Sequence, residues 1–85
     1  FTVGRGKENN ARIRGTHVSR EHGHFEFRDD GIYFLDHSSN GSCLLRETGD
    51  TLIHQGETLL ELPAEVCLAP DRSKAPEQLI VVTQS

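Results

Sequence analysis

The stretch VSREHGHFEF, Val18–Phe27, changes character half-way along. From His24 onward the residues alternate, Phe25 and Phe27 against His24, Glu26 and Arg28, with the period of two expected of a strand that turns one face to a core. Before that point serine, arginine, glutamate and histidine stand in consecutive places, Ser19 to His22. Packing alone does not require such a run. The segment therefore reads as a loop rich in donors that feeds a strand beginning at about His22, with Phe25 and Phe27 on one face.

The rest of the chain extends the same pattern. Asp29-Asp30-Gly31 closes the strand in a hairpin turn, and IYFLD, Ile32–Asp36, returns beside it. HSSNGS is a further loop, built of residues that hydrogen-bond their own backbone and tolerate unusual dihedrals. Upstream, a strand around Phe1 and Val3 ends at Gly4 and Arg5, GKENN is a polar loop, and a brief strand surrounds Ile13. Downstream, SCLLR, the segments around Leu52 and Leu59, AEVCLAP and LIVVTQ supply further strands between the turn signals TGD and QGE. The segment from Asp71 to Gln78, with Pro70 and Pro76, reads as exposed loop. About nine or ten short strands without a helix predict an all-β sandwich of two sheets.

Eighty-five residues suffice for one small domain, with a core that buries roughly 60 to 65% of the unfolded surface. Hydrophobic residues form 34% of the chain and both charge signs are mixed through it, the composition of a globular domain. No apolar run approaches the ~20 residues that span a bilayer, and no basic-then-apolar leader opens the chain, so no membrane partner is expected. The chain opens on Phe1, which suggests a piece of a larger protein.

A formal charge of −4 argues against a nucleic-acid surface. The charge is nevertheless uneven: seven basic and six acidic side chains lie through Arg46, two and seven after it. Arg5, Lys7, Arg12, Arg14 and Arg20 crowd into neighbouring loops, a concentration suited to one small anion rather than a polyanion. Cys43 and Cys67 stand in separate apolar stretches without the C-x-x-C spacing of a zinc or redox site. They read as buried free thiols, although a disulfide between neighbouring strands remains open. His22 and His24 are two apart on a strand, but no third or fourth ligand lies at metal-binding spacing, so no metal or other cofactor is expected. A catalytic reading of Ser19, His22 and Asp36 lacks a nucleophile elbow and an oxyanion loop, so an enzyme is not expected.

Three pieces, VGR, VSREH and SSNG, fall in three different loops. Here the chain resembles a forkhead-associated (FHA) domain, whose pattern is a glycine and arginine ending an early strand, then S-R-x-H, then an aspartate followed by S-(S/T)-N-G. Gly4 and Arg5, Ser19, Arg20 and His22, and Asp36, Ser38, Ser39, Asn40 and Gly41 match in order. The resemblance implies a two-sheet β-sandwich of the FHA type, about ten to eleven short strands over residues 1–85, with the family's first strand missing here. Ala64, Glu65 and Ala69 or Pro70 depart from the family's usual glycines and acid, and are expected to alter turn geometry only.

By the same resemblance the domain binds phosphothreonine in a partner protein. Arg5, Ser19 and Arg20 contact the phosphate, while Ser39 and Asn40 hold the peptide. Gly4, His22 and Gly41 brace the loops. His17, two places before Ser19, is implied in selecting the residue three after the phosphothreonine. A dianionic phosphate suits such a set, since its acceptor oxygens need donors converging from several directions. An intracellular, cytoplasmic location follows from the business of threonine phosphorylation. The competing reading is a domain of the same architecture that meets its partner without phosphate or self-associates.

Overall fold

A computed structural model describes residues 1–83. Nine strands form two layers: β1 (Thr2–Gly4), β2 (Ala11–Arg12), β3 (Gly23–Arg28), β4 (Gly31–Asp36), β5 (Ser42–Leu45), β6 (Thr51–Ile53), β7 (Glu57–Leu59), β8 (Ala64–Cys67) and β9 (Ile80–Val82). One sheet runs β2-β1-β3-β4-β7 and the other β6-β5-β8-β9. This is the two-sheet all-β sandwich expected. Gln84, placed in the last expected strand, lies outside the described residues.

The β3–β4 hairpin is the longest pairing and follows the alternation read from the sequence, with Phe25 opposite Phe34 and Phe27 opposite Ile32. Phe34 is fully buried and packs at 5.1 Å from the Phe25 ring, between the sheets with Val3, Leu44, Val66 and Leu68. Phe25 and Phe27 share one face as expected, yet Phe27 is 79% exposed where Phe25 is 6%. Phe27 borders an open apolar hollow of about 480 Å³ with Phe1, Ile32 and Leu79.

The strand around Ile13 is shorter than expected, Ala11–Arg12, and pairs parallel with β1, setting Val3 against Ala11 and Gly4 against Arg12. The segment after Pro70 is exposed as expected, but Arg72–Lys74 forms a single 3-10 turn, capped by Asp71, whose carboxylate accepts the Ser73 N–H at 3.0 Å. Ala64 and Ala69 are both buried, so these departures from the family pattern occupy packed positions.

Cys43 and Cys67, 24 positions apart in the chain, face each other directly across β5 and β8. Both are buried, free thiols in a small cluster with Ala69 and Leu45, separate from the main core. Burial pushes both thiols up from their ordinary pKa, and the Asp50 carboxylate adds to this at Cys43.

Candidate functional site

At one end of the sandwich the loops after β1, before β3 and after β4 are zipped together. The Arg5 and Gly6 N–H groups donate to the carbonyls of Ser19 and Arg20 (2.9 and 3.0 Å), and the His22 N–H donates to Val3 (3.0 Å). Gly4 permits this approach, because a Cβ there would collide with the Arg20 carbonyl oxygen. Asn9 adds a staple that the polar loop GKENN does not announce: its amide donates to the Gly6 and Arg20 carbonyls, both at 2.8 Å.

His22 is fully buried at the junction. Its Nδ1 accepts the Ser19 N–H at 3.0 Å, which fixes a neutral imidazole with the proton on Nε2. Nε2–H faces the Gly41 carbonyl (3.1 Å) and Ser42 Oγ (2.9 Å). Burial holds the ring below its ordinary pKa, against the opposing pull of Asp36 and the Gly41 carbonyl. His22 thus joins the loop before β3 to the loop after β4, which also meet where the His37 N–H donates to the His22 carbonyl at 2.9 Å.

Asp36 anchors the other side. Its carboxylate, 2% exposed, accepts the Ser38 N–H (2.9 Å), the Ser38 and Ser42 hydroxyls (2.9 and 2.5 Å) and the Gln55 N–H (3.0 Å). Ser38 Oγ in turn accepts the Gly41 N–H at 2.7 Å. A buried carboxylate is costly unless its lone pairs are filled. Here they are filled, and among the described residues no buried side-chain polar atom lacks a partner. Gly41 closes this loop at φ +100°, a conformation that favours glycine, with Leu52 where a Cβ would go.

The remaining candidates lie on the outside of this frame. Ser19 Oγ accepts the Ser39 N–H at 3.1 Å, which brings the second and third motifs into contact. Arg5 is exposed, aimed by its Nε–H to the Val18 carbonyl (3.0 Å). Arg20 is exposed and its Nε–H donates to Glu8 at 3.0 Å. Ser39 and Asn40 are exposed, and their side chains have no hydrogen-bond partner among the described residues. His17 is half-buried on the same loop as Ser19, beside Thr16 Oγ1 (3.2 Å). The geometry offers fixed donors on a rigid rim, the arrangement suited to capturing an anion. Ser19 Oγ accepts a backbone N–H, and the neighbouring His22 Nδ1 is taken up by the Ser19 N–H.

Sequence reasoning left Asp36 without a role in the site, and missed Ser42, Gln55, Asn9 and Glu8. The serines and glycine around Asp36 were a usable signal, since such residues close loops on their own backbone. Gln55 and Glu8 carried none.

In the family comparison, the model of the FHA domain matches residues 1–60, a span that includes all three loops. No curated protein matches the chain. A β-sandwich whose G-R, S-R-x-H and S-S-N-G loops meet at one end, matched over most of its length, belongs to the FHA domain family, whose members are phosphopeptide-binding modules rather than enzymes.

Proposed function

We propose that this domain binds a phosphothreonine segment of a partner protein, with Arg5, Ser19 and Arg20 on the phosphate and Ser39 and Asn40 on the peptide main chain. The observation that carries the reading is the division of labour in the three loops. The buried groups His22, Asp36, Ser38 and Ser42 are all satisfied by one another and by neighbouring backbone groups, while Asn40, Ser39 and the guanidinium ends of Arg5 and Arg20 stay outside with bonding capacity to spare. The frame that carries these donors is bonded together beneath them, so their backbone is already placed when an anion arrives. A small apolar niche against the threonine methyl would favour phosphothreonine over phosphoserine, and His17 would meet the side chain three places later.

Calorimetry with matched peptides tests this. Suitable phosphothreonine peptides should bind in the micromolar range, about −8 kcal/mol, and their unphosphorylated forms should not bind. Equal binding of the two forms would overturn the reading. Residues 1–85 are taken as one such domain of a larger cytoplasmic protein. A second reading, a phosphate-independent contact or self-association, has one observation in its favour: Phe1, Phe27 and Val81 are 63%, 79% and 60% exposed.

A further inference from the structure

The pairing of Gly4 with Arg12 sets Arg12 beside Arg5. The Arg12 Nε–H donates to the Arg5 carbonyl at 2.9 Å, and the Arg5 Nε–H to Val18 at 3.0 Å. Each guanidinium is thus aimed by a single bond, and its terminal N–H groups have no partner among the described residues. The two side chains stand between two depressions. One, of about 230 Å³, is completed by Gly6, Lys7 and Arg20; the other, of about 610 Å³, by Arg14, Gly15 and Thr16. No carboxylate lines either one. Of the five cations here, Arg20 alone has an ion pair among the described residues, with Glu8. Surface cations that serve only solubility are usually interspersed with acids, and the lining of these two depressions holds none.

A phosphate held by Arg5, Ser19 and Arg20 lies against the first depression, whose wall Arg12 shares, and leaves the second open, with Arg14 and Thr16 unused. We propose that Arg12 and Arg14, with Thr16, form a second anion subsite that takes another phosphorylated or acidic side chain of the same partner segment. The inference rests on the phosphothreonine reading above. Two guanidinium forks match the oxygens of a phosphate or carboxylate, and a threonine hydroxyl adds a short donor. An extended segment advances about 3.3 Å per residue, so a side chain a few places from the phosphothreonine reaches this depression.

The test is calorimetry on phosphothreonine peptides that carry, at each of the four positions on either side, a second phosphothreonine, a glutamate or an alanine. At one or two positions a second anion should tighten binding about fivefold or more. The advantage of phosphate should shrink as pH falls through its second pKa of about 6, whereas that of glutamate persists, which separates the two sources. The variant R14A, at a residue that lines the second depression alone, should lose most of the advantage, yet bind the singly phosphorylated peptide within about twofold of the parent and melt with it. If the variant keeps the advantage, or no position shows one, the subsite is refuted while the phosphothreonine reading stands. If no phosphothreonine peptide binds the parent at all, both fall together.

Discussion

The difference between a residue that braces the loops and one that meets a ligand is testable at Asn40 and His22. Asn40 is exposed and makes no internal side-chain bond among the described residues, so Asn40→Ala should weaken phosphopeptide binding more than tenfold, about 1.4 kcal/mol, and leave the melting temperature in place. His22→Ala strands the Ser19 N–H and the Gly41 carbonyl, each unpaired group typically costing about 1 to 3 kcal/mol of stability, so melting temperature and affinity should fall together. Thermal melts with fluorescence anisotropy on both variants decide it; a His22→Ala protein that melts like the parent but does not bind would make the histidine a ligand contact. The same burial gives His22 a pH signature. Its folded pKa is depressed, so near pH 6.5 and below the unfolded chain binds more protons than the folded one. Its contribution is complete above that pH and is lost as pH falls toward the folded pKa. Melts between pH 7.5 and 5 should show a decline in the parent that is shallower in His22→Gln, and equal slopes would sink the assignment.

Between elements, the unexpected contact is the Arg20–Glu8 bridge, which links the loop before β3 to the loop after β1. The carboxylate occupies the guanidinium edge that a phosphate would want. Glu8→Gln should therefore raise phosphopeptide affinity about two- to threefold, more at low salt than at high, as measured by calorimetry. Unchanged affinity would show that Arg20 engages phosphate without giving up Glu8. Strand positions were legible in the sequence where a clear period of two or a turn signal bounded them, as at Phe25, Asp30-Gly31 and Ser42–Leu45. The parallel β1–β2 pairing was not, because two residues carry no periodicity. The face shared by Phe25 and Phe27 was legible but their difference in burial was not, because alternation reports which face a residue takes and not what packs against it. Among the proposed contacts, Arg5, Ser19, Arg20 and Asn40 stand out in the sequence because each belongs to a multi-residue pattern. Asn9 and Gln55 act through contacts that only the folded loops create.

At the scale of the whole molecule, the two ends of the sandwich differ in chemistry. One gathers cations and exposed polar groups on the loops. The far tip of the β3–β4 hairpin carries the exposed Phe27, which borders an apolar hollow that Ala11 and Ile13 also line. Among the described residues no helix is long and apolar enough to cross a membrane. The flank of the β5–β8 sheet carries a third feature, the facing thiols of Cys43 and Cys67, close enough to Arg72 and Asp50 for those charges to reach Cys43. Arg72 reaches back to Asp50 at 2.7 Å, so the segment after β8 is latched to the turn between β5 and β6. The pair is in effect a clock. A thiol-reactive dye cannot meet either sulfur until the sheet's flank opens, and the rate of colour change under native conditions counts those openings. Loosening the latch with Arg72→Ala should quicken labelling, with little change in the global melt. Phosphopeptide at saturation should slow it only if the loops and this flank open as one unit, so a single stopwatch measurement says whether the domain breathes in parts or as a whole.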